Sequence, residues 1–308
     1  MWLSDANYVA SVARAGGLGF ITPRSFQDLH AFRDELAKCK ELAGEKPFGV
    51  NLYISGRPGE NESLSDWIEL SLSAGVRFFE SAGGPVNTIM PHLAGTHAKV
   101  IHKVTTIRHA IAAERAGVDA ITLVGAECGG HPGGNKNSAL ILGGLASKNL
   151  SVPYVLGGGF GTGRQLAAAL ALGADGVVLG TRMTVADEIC TNKDYKKHVV
   201  ACDEKSTMTV LGSINKTMRV LRNETAEKVR AIEDAGGDIL TEGQDLIRGT
   251  ILKDAYSSGN WNYGLSSLGP SACFANTTAS VSEILDEIAF DTVKALSRVS
   301  ELEISTKD

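Results

Sequence analysis

Short apolar runs alternate with longer amphipathic segments through the first 190 residues. This alternation is typical of repeated strand–helix units around a parallel sheet, and it predicts a TIM-type (β/α)8 barrel of the α/β class. The helices predicted between the strands include Ser25–Ala43, Ser63–Ala74, Thr106–Ala116 and Thr162–Leu172. The seven predicted strands are Leu18–Ile21, Phe48–Leu52, Phe78–Ser81, Lys99–Val104, Ala120–Val124, Pro153–Leu156 and Gly176–Leu179.

The first strand of an eight-stranded barrel is missing from this pattern, because the chain opens on a predicted helix. We expect Ser4 to cap this helix, whose apolar stripe is Tyr8, Val9, Val12 and Ala15. Either the sequence is truncated or the barrel closes in another way. An open seam would expose two sheet edges, which proteins normally protect.

The pattern changes after Thr184, where helix-like stretches cover Ser206–Glu224 and Glu227–Ala235. We predict a (β/α) barrel over residues 1–190, a small helical substrate or lid domain over 191–276, and a C-terminal helix over 277–308 that packs back on the barrel. The apolar stripe of the last helix is Val281, Ile284, Leu285, Ile288, Val293, Leu296 and Val299.

Composition excludes several classes of protein. The net charge of -5 argues against a nucleic-acid partner, which would need a basic face. The five cysteines have no CxxC spacing, so we predict neither a metal site nor a disulfide framework. The sequence has no recognisable export signal and no apolar run of about 18 residues. A cytoplasmic protein without a membrane span is expected.

Two glycine-rich turns follow the last two predicted strands. The first, Gly157–Gly163, opens a helix, an arrangement in which backbone N–H groups and the helix dipole can hold a phosphate. The second begins at Gly180 and Thr181. A pair of such turns at this end of a barrel favours a phosphorylated ligand. The alternative is that the glycines only permit tight turns.

A single histidine lies among small residues directly after the fifth predicted strand, in the segment from Gly125 to Gly134. Histidine can move a proton near neutral pH, and the glycines leave room for a flat ligand beside it. His131 is therefore the candidate catalytic residue. The alternative is a loop histidine with local hydrogen bonds only. Cys128 is more typical of a small buried side chain than of a reactive thiol.

Two polar residues in apolar strands are candidate ligand contacts. Lys103 is costly in such a strand unless it meets an anion or a polar cavity, although it could also extend outward to solvent. Asn51 is expected at the carboxyl-terminal face, where barrel active sites lie, and suits hydrogen bonding to a ring edge. An Asx turn that ends the strand is the alternative.

The chain resembles the nitronate monooxygenase family, also called 2-nitropropane dioxygenases. The resemblance is carried by Ala15–Gly19, Pro47–Leu52, the His102–Lys103 strand, Glu127–Gly133 and the turn from Gly157 to Thr162. It implies an FMN-dependent barrel with a small helical domain over its mouth. His131 matches the family's catalytic histidine, and Asn51 and Lys103 match residues that touch the flavin. The positions that match its phosphate-binding residues are Gly158, Gly159, Gly180 and Thr181.

The resemblance leaves the reaction open. A nitronate monooxygenase would oxidise alkyl nitronates or nitroalkanes with O2 to carbonyl compounds and nitrite. The Glu-Cys-Gly-Gly-His-Pro-Gly form of the histidine loop is similar to the NAD(P)H:quinone reductase branch, in which NAD(P)H reduces FMN and a quinone accepts the electrons. An enoyl-acyl-carrier-protein reductase-like enzyme and an inactive FMN-binding fragment are further alternatives. The expected partners are a small-molecule nitronate or quinone and O2, and a homodimer is left open.

Overall fold

A computed structural model describes residues 2–134 and 136–302. Seven parallel strands form one curled sheet, and each strand pairs with its neighbours in chain order. This arrangement confirms the predicted TIM-type architecture with seven strands, whose ends differ from the prediction by a few residues. Among the described residues, the first and last strands are the two edges of the sheet and do not pair with each other. The strands are β1 (Phe20–Ile21), β2 (Gly49–Ile54), β3 (Phe78–Gly83), β4 (Lys99–Val104), β5 (Ala120–Val124), β6 (Tyr154–Gly157) and β7 (Gly176–Val178).

Helices surround this sheet and connect its strands. Several begin at a Ser, Thr or Asp side chain that accepts a hydrogen bond from the first helical turn. Within the described residues, no helix is both long and apolar enough to cross a membrane. The first seven helices are α1 (Ala6–Arg14), α2 (Leu29–Ala43), α3 (Leu64–Ser73), α4 (Met90–Leu93), α5 (Ile107–Arg115), α6 (Ala139–Asn149) and α7 (Gly163–Ala171).

The cap predicted for α1 was wrong by one residue. The Asp5 carboxylate accepts a hydrogen bond from the Tyr8 N–H at 3.0 Å and so begins the helix. Ser4 instead donates its hydroxyl to the carbonyl oxygen of Phe20, at the start of β1. This contact ties the segment that precedes α1 to the edge strand of the sheet.

The predicted helix over Ser206–Glu224 was also wrong. The chain forms an antiparallel hairpin there, with strands β8 (Thr207–Val210) and β9 (Met218–Leu221). Met208 and Val210 are buried at alternate positions, which is the period of a strand. Leu211 and Asn215 have φ values of 61° and 55°, so the chain reverses between the strands. The region predicted to be helical therefore contains a small sheet.

The remaining helices follow the barrel and the hairpin. The prediction over Glu227–Ala235 agrees with α9 to within a few residues. The 1–190, 191–276 and 277–308 domain boundaries stay predictions. The last four helices are α8 (Lys193–Val200), α9 (Glu224–Asp234), α10 (Ile251–Ser258) and α11 (Val281–Ser300).

The long helix α11 packs against α7 at the start of that helix. Thr292 donates its hydroxyl to the Gly163 carbonyl oxygen at 3.1 Å, and Asp291 accepts from the Arg164 N–H at 3.1 Å. The predicted apolar stripe is correct at Ile284 and Ile288, which are buried.

The C-terminal part of that stripe was wrong, because Val293 is 69%, Leu296 42% and Val299 56% exposed. Thr292 is the last buried residue of α11. Val293 lies about 100° further around the helix than Thr292, because a helix has about 3.6 residues per turn. Leu296 and Val299 lie on the turns beyond the last buried position.

Candidate active site

A cavity of about 1570 Å3 lies at the carboxyl-terminal ends of the barrel strands. Strands β2 to β7 and the loops that follow them supply most of its wall. This is the end of a TIM-type barrel that carries active sites. The structure brings all seven predicted site residues to this one cavity: Asn51, Lys103, His131, Gly158, Gly159, Gly180 and Thr181.

The loop that carries His131 is fixed at several points after β5. The Glu127 carboxylate accepts a hydrogen bond from the Ala139 N–H at 3.0 Å, which ties the loop to the start of α6. Gly130 and Arg219 exchange two backbone hydrogen bonds, at 2.9 and 2.7 Å, which tie the loop to β9. A Cβ at Gly129 would lie 2.8 Å from the carbonyl carbon of Leu268, so only glycine fits there.

His131 is exposed to the cavity, yet the pKa of its imidazole is lowered from the ordinary value of 6.5. Desolvation by the surrounding protein is the larger cause, and the Lys216 ammonium is the second. Lys216 lines the same cavity from the tip of the β8–β9 hairpin. The imidazole is consequently neutral at pH 7 and able to accept a proton.

The tip of the hairpin is anchored by one carboxylate of α9. Glu233 accepts hydrogen bonds from the N–H groups of Leu211 and Ser213, both at 2.8 Å, and from the Ser213 hydroxyl at 2.7 Å. These bonds lower the pKa of Glu233, although burial acts in the opposite direction. The position of Lys216 therefore depends on α9 as well as on the hairpin.

The turn after β6 needs glycine for reasons internal to the protein. Gly158 and Gly159 have φ values of 98° and 81°, which L side chains rarely adopt. A Cβ at Gly158 would lie 2.8 Å from the Gly125 carbonyl oxygen, and one at Gly159 would lie 2.9 Å from the Glu127 Cβ. These two glycines are therefore required by the tight turn itself, whether or not they also contact a ligand.

The first turn of α7 is largely occupied by protein acceptors. Gln165 accepts from the N–H groups of Gly161 and Thr162 at 2.9 and 3.1 Å. The Asp291 carboxylate accepts from the Arg164 N–H at 3.1 Å, and the Thr162 hydroxyl oxygen accepts from the Gln165 N–H at 3.3 Å. Among the described residues, the Gly159 N–H has no acceptor. An anion bound here would contact the N–H groups of the turn after β6 rather than a fully unoccupied N-terminus of α7.

Gly180 differs from the other two glycines. Its φ is −114°, and a Cβ built on it would meet no described atom within 4 Å. Its backbone N–H has no acceptor among residues 2–134 and 136–302. Thr181 is buried beside it, and its hydroxyl oxygen accepts a hydrogen bond from the Gly269 N–H at 2.9 Å. Gly180 thus leaves open space and a free donor at the cavity wall.

A buried carboxylate joins the two polar residues predicted on β2 and β4. Glu80, on β3, is 6% exposed. Its Oε2 accepts from Asn51 Nδ2 at 2.5 Å and from Lys103 Nζ at 2.9 Å. Both alternatives, an Asx turn at Asn51 and an outward lysine, were therefore wrong. Glu80 was not predicted from the sequence, although an acidic residue in an apolar strand is a signal that could have indicated it.

Cys128 and His102 also line the cavity, but neither is a candidate catalytic residue. Burial raises the pKa of the Cys128 thiol to about 11, so it is protonated at neutral pH. His102 is buried, and its Nδ1 lies 2.8 Å from the Ser81 hydroxyl. Within the described residues, no group of three or more His, Cys, Asp or Glu could hold a metal ion.

Comparison with known proteins identifies the class of enzyme. The family model described as "Nitronate monooxygenase" matches residues 1–291. The structure of FabK from Thermotoga maritima has a TM-score of 0.87 and 26% sequence identity to this chain, and the match covers 97% of this chain and 92% of that one. The chain is therefore an oxidoreductase built on a TIM-type barrel. It belongs to the nitronate monooxygenase family, whose members are flavin-dependent in general.

Two curated relatives of this chain are named for different reactions. A protein of Staphylococcus saprophyticus named "Probable nitronate monooxygenase" is 28% identical, over 85% of this chain and 84% of its own length. A Mycobacterium tuberculosis protein is also 28% identical, over 98% of this chain and 93% of its own length. The latter is named "(3aS,4S,5R,7aS)-5-hydroxy-7a-methyl-1-oxo-octahydro-1H-indene-4-carboxyl-CoA dehydrogenase".

Proposed function

We propose that the protein is an FMN-dependent nitronate monooxygenase. It oxidises alkyl nitronates or nitroalkanes with O2 to carbonyl compounds and nitrite, and His131 moves the proton. The observation that carries this proposal is the position of His131 on the wall of the cavity that also holds the glycine turns and Lys103. A proton-transfer group and an anion-binding wall are both needed if a flavin and a nitro compound are to meet in one place.

The residues present fit a flavin mononucleotide. The open space at Gly180 suits a phosphate, as do the N–H groups of Gly159 and Gly180, which have no acceptor in the described part of the chain. Lys103 and Asn51 present a cation and an amide to the same cavity, and these groups suit the polar edge of a flavin ring. FMN, when bound, would supply the redox chemistry of the site.

The chain's own residues would bind, orient and exchange the proton. The neutral imidazole of His131 can accept a proton from the carbon beside a nitro group, and the flanking glycines leave room for the substrate. The nearby Lys216 ammonium disfavours protonation of the ring and so favours the neutral imidazole, which can accept a proton. The Glu127 and Gly130 contacts hold the loop in place during this step.

A reductase is the second candidate function, and the size of the cavity favours it. Small-molecule sites are commonly about 300–1,000 Å3, whereas this cavity is about 1570 Å3. It has space for a flavin together with a second large ligand. The second ligand would be NAD(P)H with a quinone as the final acceptor, or an acyl thioester, as the CoA-linked name of the Mycobacterium tuberculosis relative suggests.

Anaerobic reduction of the purified protein distinguishes the two functions. We expect a bound-flavin spectrum that a nitronate bleaches and NADH or NADPH leaves unchanged, followed by nitrite release once O2 is admitted. Bleaching by NAD(P)H within seconds, with electrons passed to a quinone, would replace the first candidate with the second. A protein that binds no FMN would contradict both.

A further inference from the structure

We infer that Glu80 is a positioning residue for the flavin site: its carboxylate holds Lys103 and Asn51 at the cavity wall and offsets the charge of Lys103. Glu80 thereby sets how easily the bound flavin is reduced. This inference rests on the proposed function, because it assumes that a flavin occupies the cavity. It adds a third residue to the two that the sequence pattern indicated.

The geometry makes Glu80 the centre of the group. Asn51 and Glu80 are direct partners in the parallel register of β2 and β3, so their side chains leave the sheet at the same level. Lys103 reaches the same carboxylate oxygen from β4. Three neighbouring strands are therefore joined through Glu80 Oε2 on the inner face of the barrel.

Burial explains why this arrangement is fixed. A carboxylate that is 6% exposed is costly unless it is paired and hydrogen-bonded. The Lys103 side chain is 30% exposed and has freedom to move toward the cavity, but the ion pair restrains it. Glu80 thus determines where the ammonium of Lys103 stands.

The charges lining the cavity show what this pairing does. Five charged side chains other than histidines belong to the wall among the described residues: Arg57, Glu60, Glu80, Lys103 and Lys216. Arg57 pairs with Glu60, and Lys103 pairs with Glu80. The deepest of these charges, on β3 and β4, therefore cancel each other beside the ligand.

The electrostatic consequence has a definite sign. A reduced flavin, and likewise the adduct that sulfite forms with an oxidised flavin, carries more negative charge than the oxidised flavin. A nearby cation favours these states, and a nearby anion disfavours them. Removing the Glu80 charge should make the flavin easier to reduce, and removing the Lys103 charge should make it harder.

The test is a double-mutant cycle of Glu80→Gln and Lys103→Met, read by sulfite titration and by the reduction potential of bound FMN. We expect Glu80→Gln to tighten sulfite binding about tenfold and to raise the potential by about 30 mV, the equivalent of a tenfold change for a two-electron couple. Lys103→Met should shift both quantities in the opposite direction. The double variant should return toward the wild-type values, because it restores the charge balance.

Ser81→Ala is the matched control. Ser81 lies next to Glu80 on the same strand, is also buried, and contacts His102 instead of Lys103. Its loss should lower thermal stability without moving the sulfite constant or the potential. If Glu80→Gln behaves like this control, or shifts the flavin in the same direction as Lys103→Met, the inference is wrong.

Two further outcomes are distinguishable. If Glu80→Gln alone does not retain FMN, the comparison of Lys103→Met with the double variant carries the test, and the double variant should have the higher potential. A wild-type protein without FMN contradicts the proposed function and this inference together. If the wild-type protein binds FMN but Glu80→Gln does not change the reduction potential of the flavin, only this inference is contradicted.

Discussion

At the scale of single residues, the histidine loop is the most constrained feature, because three residues that precede His131 each make a separate structural contact. Glu127 ties the loop to α6, Gly129 lies against the backbone of Leu268, and Gly130 pairs with β9. His131 has no such bond among the described residues and is exposed to the cavity. The loop therefore holds its backbone firmly and leaves the imidazole available.

Replacing His131 by Asn should leave FMN binding intact and lower nitronate-forming turnover of nitroalkanes by about 100- to 10,000-fold, which is typical for loss of a general base. In the wild type, a lowered pKa means that the ring becomes protonated only below its ordinary value of 6.5. The acid limb of the kcat/KM profile should therefore lie below pH 6.5 and should be absent from the variant. His97→Asn, at an exposed position outside the cavity, is the control.

Gly180→Val should weaken FMN binding about 10- to 100-fold, because its side chain would fill the space proposed for the phosphate and block an N–H bond to a charged group. Fluorescence titration of apoprotein with FMN measures the effect. Gly180 suits this test better than Gly159, whose positive φ would strain any side chain even without a ligand. Gly249→Val, at another open position, should bind FMN normally. Equal FMN affinity in both variants would refute the phosphate assignment.

Glu80 shows why part of the site escapes sequence reasoning. Lys103 in an apolar strand signals that some anion must lie near it, but the pattern does not say which one. The partner is 23 positions away in sequence and is chosen by the pairing of β3 with β4. His131 was easier to single out, because its glycine-rich neighbourhood is contiguous along the chain.

At the scale of elements, α7 and α11 approach each other through one glycine. A Cβ at Gly163 would clash with the backbone of Ile288 and Thr292, so Gly163→Ala should destabilise the fold by about 1–3 kcal/mol. Gly144→Ala, within α6 and with open space around it, should instead stabilise by about 0.5–1 kcal/mol. Urea unfolding of the two variants measures the difference. Similar free energies of unfolding would show that this helix contact is not tight.

Elements whose apolar residues recur with a single period, that of a strand or that of a helix, could be predicted from the sequence. Segments that mix the two periods could not. Strand β4 and helix α5 agree with their predictions because each keeps one period over its whole length. Over Ser206–Glu224, two short strands and their turn together imitate helical spacing. The deciding signals are the left-handed conformations of Leu211 and Asn215, which are properties of the folded chain.

At the scale of the whole molecule, a ligand that binds only the folded state should stabilise the barrel. With FMN at about 100 times its Kd, the gain is about 2.7 kcal/mol. Stripping FMN should therefore lower the Tm, and adding it back should restore it. Riboflavin, which lacks the phosphate, should stabilise clearly less at the same concentration. Equal shifts for both ligands would contradict an anion site at the glycine turns.

The overall architecture was predictable because parallel strands pair in chain order, so the alternation of strands and helices nearly determines the sheet. The shared cavity follows from the same topology, since the carboxyl ends of the strands all meet at one face. The arrangement of the segment after Thr184 was not predictable, because its contacts with the barrel loops come from distant positions such as Gly130 and Arg219.

The paired backbone bonds between Gly130 and Arg219 also limit how ligands can enter and leave. They fasten the loop of His131 to the same hairpin that carries Lys216, so the two cannot separate without breaking both bonds. A movement of the β8–β9 hairpin away from the barrel would therefore also displace His131. Substrate exchange that keeps His131 in place must therefore use another part of the cavity wall, and the segment from Ser55 to Glu60 also contributes to that wall.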